Sequence, residues 1–339
     1  MAEHAHPTAV EAPTEAPPDP WPRVAELTAA LQRAGRDLAI EAELPHLRLE
    51  AAERLRETTT PREPWPPPYP DPFPDVRGAL PELGPDELTT AAVAGGLLHH
   101  GAVVVRGLLG PEDTARIAEE MDLTFASRVA AGDDGSDPAP EPWFVPFRPP
   151  QKTVGQRGKP HLIRAVDAPR VLADLLDTYH RLGVVDVVEE YLGEPPVFTA
   201  NKSVLRYLSV GEIVPTDFHQ DGRFMGAEVR AINVWVTLTD CGTTAPSLDL
   251  IPRRETAIAP TGNGDSGFDW TISAAEADAM AGDTPVVRLD LAAGDAVVFD
   301  HFLVHRSGWR AGMPDMRKAI ECWFFAPSSV PWKYQPLRA

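Results

Sequence analysis

The chain has 339 residues, 43% of them hydrophobic, and a formal net charge of −19. That length and apolar content allow a sizeable core in one large or two small domains. The acidic balance argues against binding a nucleic-acid backbone or an anionic membrane surface, which need basic patches, and no run of about 18 apolar residues marks a membrane span. Cys241 and Cys322 give no disulfide framework and fall in or near predicted core strands, so they read as buried free thiols. Met1-Ala2-Glu3-His4 lacks the positive and apolar regions of a secretory signal, and a cytoplasmic location is expected.

Residues 1–20 are rich in Ala, Pro and Glu and are expected to be disordered. Residues 22–58 carry Val24, Leu27, Leu31, Leu38, Leu47 and Leu55 among many charges. This predicts one or two amphipathic helices broken near Pro45 that cap the main domain or mediate a dimer, capping being the more usual outcome. Eight prolines between Pro61 and Pro74 predict an extended, polyproline-like connector. The main domain is then taken as 78–330, between an extension at 21–77 and a tail at 331–339. It opens with a helix over 85–100, a strand over 102–106 and a helix over 111–122. Residues 130–160 read as a long loop, and loops of that length are usually functional or disordered. Its Trp143 and Phe144 suggest either a lid over a pocket or an anchor that tacks the loop onto the surface. Helices at 168–178 and 182–192 follow.

The second half reads as strands. Leu205-Arg206-Tyr207-Leu208 and Ala231 to Leu238 have the β-branched and aromatic content of sheet. Between them stands Asp217-Phe218-His219-Gln220-Asp221-Gly222, at a strand end or turn. A second insertion, residues 253–285, holds Arg253, Arg254 and Trp270. Gly294-Asp295 then leads into the apolar run Ala296-Val297-Val298-Phe299, which carries His305 to the strand end or just beyond it. His301 shares a face with His305 at the strand's period of two and is the rival to it. Met316 to Phe325 reads as a further strand, antiparallel to the one before, and Arg317 enters it ahead of Trp323 and Phe325.

Two imidazoles and a carboxylate can occupy one face of an octahedral metal and leave the other face open. This suits Fe(II) that must bind a co-substrate and O2 side by side. His219, Asp221 and His305 are the candidate ligands. A guanidinium such as Arg317 can grip a carboxylate with two parallel hydrogen bonds.

On these residues the chain resembles the phytanoyl-CoA dioxygenase-like family of Fe(II)/2-oxoglutarate-dependent oxygenases. The likeness covers roughly residues 78–330. It rests on His219-Gln220-Asp221 with His305, the Gly294-Asp295 lead-in, Arg317, the stretch Asn233 to Asp240, and Gly101 to Leu109. It implies a double-stranded β-helix, a cupin-like jelly roll of about eight strands in a mainly β (α+β) chain flanked by helices. It also implies that Fe(II), 2-oxoglutarate and O2 are used, and that 2-oxoglutarate is decarboxylated to succinate and CO2 while a small molecule is hydroxylated. Arg317 and Ser307 would bind the far carboxylate of 2-oxoglutarate, with Trp235 beside it. One departure stands at Arg310, where the family usually has Asn. Asp221 keeps the carboxylate that related halogenases lack, which disfavours halogenation. Desaturation, epoxidation or ring formation would share the first steps. A non-enzymatic cupin-like binding protein is a third reading, and the intact His219, Asp221, His305 and Arg317 argue against it. Arg223, Phe224 and Met225, which follow Asp221, and Arg206 are the candidate substrate contacts. An arginine and aromatic lining suits a carboxylated or aromatic small molecule.

Overall fold

The computed structural model describes residues 18–132, 142–148, 159–210, 217–331 and 333–339. Most of the expected disordered N-terminus (1–17), and residues 133–141 and 149–158 of the expected long loop, lie outside the described residues.

Two helices come first, α1 (Trp21–Ala34) and α2 (Leu38–Thr58). The break between them is not at Pro45, which lies inside α2, but at Gly35, whose φ of +82° ends α1. Asp37 then caps α2, its carboxylate accepting from the N–H groups of Ala39 and Ile40. That cap, and the burial of Leu44, hold the helix together through the proline. Val24, Leu27, Leu31 and Leu44 form a small cluster against Ala173, and each such burial contributes about 1.5–3 kcal/mol. The hairpin therefore packs on the body of the protein.

The expected helices of the body are present, with shifted bounds. A short strand β1 (Glu82–Leu83) precedes α3 (Thr90–His100), β2 (Ala102–Val105) and α4 (Pro111–Ala131), which runs well past the expected end. β3 (Leu162–Arg164) is followed by α5 (Pro169–Arg181) and α6 (Val184–Leu192). Then come β4 (Val197–Thr199), β5 (Val204–Leu208), the one-turn α7 (Gly222–Met225), β6 (Ala231–Thr237), β7 (Ser247–Arg254) and α8 (Ala274–Ala281). The last elements are β8 (Val287–Arg288), β9 (Ala296–Asp300), β10 (Leu303–Gly308), β11 (Arg317–Phe325) and β12 (Pro336–Arg338). None of the described helices is long and apolar enough to cross a membrane.

The described strands form two sheets. Nine of them make a large sheet ordered β1-β2-β9-β6-β11-β4-β12, with β5 also on β11 and β3 on β5; β10, β7 and β8 make the smaller one. Strand alternation gives the large sheet two different faces. On β11, Ile320, Cys322 and Phe324 point into the cluster under the helices, while Ala319, Trp323 and Phe325 join the cluster between the sheets. Leu248 and Leu250 of β7 and Leu303 of β10 close that inner cluster from the small sheet. This is the expected jelly roll, with more strands than the eight anticipated. Cys241 and Cys322 are buried free thiols.

Three strand readings change. The run from Ala296 onward is two strands, because the chain turns at His301-Phe302 and crosses from the large sheet to the small one. β11 is not a hairpin partner of the strand before it; it lies beside β6, which separates it from β9. The segment expected as a tail ends in β12, which pairs with β4 and is held by Arg48, whose Nη1 donates to the Arg338 carbonyl at 2.7 Å.

Candidate metal centre

His219 and Asp221 arrive on a turn, and His305 on a strand. His219 forms an isolated bridge with His305, N–H to O in both directions at 2.9 and 3.0 Å. Phe218 forms another isolated bridge with Ile272 of the insertion, whose N–H donates to the Phe218 carbonyl at 2.7 Å. The chain then turns into α7, and Asp221 stands at its start. Gln220 fixes this turn. Its Nε2 donates to the carbonyls of Ala257 and Phe302, and its Oε1 accepts from Ala259 N–H. Gln220 thus ties the insertion, the turn and the sheet-crossing corner together.

The result is three buried side chains, each offering one ligand atom, all within 4.8 Å of one another. His219 Nδ1 lies 3.0 Å from the Asp217 carbonyl and His305 Nδ1 3.1 Å from the Leu303 carbonyl. A carbonyl can only accept, so both Nδ1 atoms carry a hydrogen, and the Nε2 atoms are the ones left to meet a metal. Burial, with His305 alongside, pushes the His219 imidazole down to about 3, so it stays neutral at ordinary pH. The Asp221 carboxyl is held well below the usual carboxylate range; burial opposes this, and Lys202 with the two histidines more than offsets it. Asp221 Oδ2 is 3.6 Å from His305 Nε2, while Oδ1 accepts from Lys202 Nζ at 2.7 Å. Two imidazoles and an ionised carboxylate on one side of a small space form a donor set that fits a divalent cation. His301, the rival ligand, is outside this group; its Nε2 meets the Ala227 carbonyl at 3.2 Å and its ring packs on Phe302.

A second cluster lies on the same inner surface. Arg317 is 1% exposed, with Nη1 donating to the Ser247 carbonyl at 2.9 Å, while Nε has no partner. Burial pulls its guanidinium down to about 10, partly offset by Cys241. Its carbon lies 5.2 Å from the centroid of Trp235. Ser307, two residues past His305 on β10, faces Leu248 next to that same Ser247. A buried guanidinium with an unfilled N–H and, among the described residues, no carboxylate paired with it has the chemistry of an anion site. The nearby carboxylate of Glu321 goes instead to Arg206, at 3.0 Å.

The candidate substrate contacts divide. Phe224 stands beside His219, ring centroids 6.3 Å apart, and Trp270 of the insertion meets the same imidazole edge-on at 5.5 Å. Arg206 faces inward opposite Ala319 but is engaged by Glu321. Met225 is buried in the core between the sheets. Arg223 is exposed and turns to Thr261 Oγ1 in the insertion. Of the two readings of Trp143 and Phe144, the structure favours the anchor and not the lid. Their N–H groups bond Ser127 on α4, Phe144 joins the helix-side core, and Trp143 stacks on Arg36. Arg310 is exposed and donates to the Thr243 carbonyl. Lys202 and Gln220 went unremarked in the sequence. A lysine 17 positions before the first histidine has no local signal, whereas Gln220 sits inside the motif itself.

A two-sheet jelly roll with a buried His, Asp, His face and a buried arginine defines a class of metal-dependent oxygenase folds. Residues 97–312, well over half of the chain, match the model of the phytanoyl-CoA dioxygenase family, and the chain belongs to that family. It is a dioxygenase by that membership. No curated protein matches it. Among solved structures, EctD from S. alaskensis with bound Fe is 18% identical with a TM-score of 0.53, covering 77% of this chain and 88% of that one. The apo form of the same protein is 18% identical at 0.52, covering 81% and 90%. AviO1 from Streptomyces viridochromogenes Tue57 is 21% identical at 0.44, covering 69% and 94%. At such identities the EctD structures speak for the fold alone.

Proposed function

We propose that this protein is an Fe(II)- and 2-oxoglutarate-dependent hydroxylase of a small organic molecule. The carrying observation is the buried set of His219, Asp221 and His305, with both Nδ1 atoms turned to carbonyls and both Nε2 atoms free to bind a metal. Iron(II), when bound there, supplies the activation of O2 that couples oxidative decarboxylation of 2-oxoglutarate to oxidation of a substrate C–H bond.

The chain's own residues do the rest. His219 and His305 hold the metal from one side, and Asp221 supplies the single negative charge. Lys202 occupies Asp221 Oδ1 and leaves Oδ2 toward His305. Arg317 and Ser307 bind the distal carboxylate of 2-oxoglutarate, beside Trp235. Phe224 and Trp270 shield the substrate side from water. The catalytic unit is residues 78–330, and the 21–77 extension braces it from the helix side.

The test is an anaerobic titration of Fe(II) and 2-oxoglutarate, following the visible absorption that a 2-oxo acid chelated to iron(II) gives. A band in the wild type that is lost in His219→Ala and needs more 2-oxoglutarate in Arg317→Ala is expected. A folded, iron-loaded wild type without a band would move the chain to a binding role.

A further inference from the structure

We propose that Lys202 anchors a carboxylate on the organic substrate, so that the oxidised carbon lies within a few bonds of that group. This rests on the iron and 2-oxoglutarate reading above.

Lys202 sits in the turn between β4 and β5, with its side chain 12% exposed. Its ammonium has three N–H donors. One goes to Asp221 Oδ1 at 2.7 Å. The others point among aromatic faces, with Nζ 4.3 Å from the centroid of Phe224 and 5.9 Å from that of Trp323. Rings favour a cation electrostatically but do not accept its hydrogens as an oxygen does. Among the described residues, no second acceptor meets this ammonium. An ammonium with two of its three donors unfilled in a sheltered place gains from an anionic oxygen.

The neighbouring cations are otherwise engaged. Arg206 is paired with Glu321, Arg223 is turned out to Thr261, and Lys333 donates to the Phe224 carbonyl. Of these, Lys202 alone touches a residue of the triad. Phe224 is common to both surroundings: its ring centroid lies 6.3 Å from that of His219 and 4.3 Å from Lys202 Nζ.

Charge balance points the same way. In the loaded site the metal dication and the 2-oxoglutarate dianion cancel, as do Lys202 with Asp221 and Arg206 with Glu321. Arg317 is then left uncancelled, and Lys333, which donates to a neutral carbonyl, adds to the positive surplus in a place with little water to screen it. An anionic substrate offsets the surplus. Because Lys202 is one hydrogen bond from a metal ligand, that anion sits close to the metal, and so does the carbon next to it.

The experiment uses full-length protein loaded anaerobically with Fe(II) and 2-oxoglutarate. The probes are phenylacetate, 3-phenylpropanoate and cinnamate, each against its amide, and binding is read by tryptophan fluorescence and by perturbation of the visible band. In the wild type at least one carboxylate is expected to bind roughly 10- to 100-fold tighter than its amide, the range of a charge-assisted hydrogen bond. Lys202→Met should erase that preference and Lys202→Arg should keep it. If Lys202→Met does not hold iron, Lys202→Gln, which retains a donor for Asp221, carries the same comparison. A band with no carboxylate bound, with equal binding of acids and amides, or with a preference that survives loss of the charge, overturns the anchor alone. No band in the wild type removes the underlying reading and the anchor with it.

Discussion

His219 and His305 are joined through their backbones before they are joined through any metal. Each N–H donates to the other's carbonyl, and their rings lie 4.4 Å apart between centroids. Residues 86 positions apart in the chain are thus set side by side by main-chain bonds that do not depend on either side chain. An alanine at either position keeps the bridge and removes only the ligand. His305→Ala should therefore stay folded and lose iron by more than the roughly 10- to 100-fold typical of an outer-shell change. His301→Ala should keep iron and show its cost in stability. Iron content after anaerobic loading and gel filtration separates the two, and retention by His305→Ala would reverse the assignment.

Arg317 tests the other end of the site. Replacement by Met removes the charge yet fills much of the space between Ser247 and Trp235. The 2-oxoglutarate concentration for half-maximal band formation should rise roughly 10- to 100-fold, with iron affinity little changed. A matched loss of iron affinity would show that the arginine supports the fold of the site and does not bind the co-substrate.

Gly222 follows Asp221 directly. A Cβ there would meet Ile258 Cδ1 at 2.3 Å, His301 Cδ2 at 2.9 Å and the His301 carbonyl at 3.1 Å. The backbone of α7 is pressed against the sheet-crossing corner, and only hydrogen fits between them. Gly222→Ala should cost about 1–3 kcal/mol of stability as α7 is pushed off. Because Asp221 moves with α7, iron affinity should fall as well. Denaturant unfolding together with iron titration checks both.

Glu120 gives a pH dependence away from the site. Burial, with Asp174 beside it, pushes its carboxyl up to about 9. The folded protein therefore holds a proton that the unfolded chain releases near 4.5. The stability this contributes is complete below that pH and is lost as pH rises toward about 9. Glu120→Gln should flatten the decline, with a gain over wild type of order 1 kcal/mol at the alkaline end. Melting temperatures of both proteins from pH 5 to 9 decide it, and parallel curves would show an ionised Glu120.

Much of this was legible in the sequence because it was written locally. The His-Gln-Asp motif, the Gly-Asp before β9 and the β-branched content of β6 each announce themselves within a few residues. What stayed hidden depends on distant partners. The crossing at His301-Phe302 is silent because Ala296 to His305 is one apolar-rich run, and nothing in its composition says that two sheets share it. Trp143 and Phe144 left lid and anchor open because an aromatic loop is compatible with both, and Ser127 on α4 is what decides for the anchor. Pro45 read as a helix end because proline usually is one, but the Asp37 cap and the packing of Leu44 outweigh it. Lys202 has no motif at all; only its arrival at Asp221 gives it meaning.

The bond from Arg48 to the Arg338 carbonyl spans 290 positions. β12 is made after every other strand of the sheet, and α2 is made before any of them. During synthesis the flank of β4 therefore stays open to any passing strand until β12 is made. Closure comes only when β12 arrives, so this sheet is completed late and by a long-range contact, the slow kind. The period before closure is when the molecule is most open to pairing with the wrong neighbour, and the lysate of a cell making it quickly is where that would first be seen.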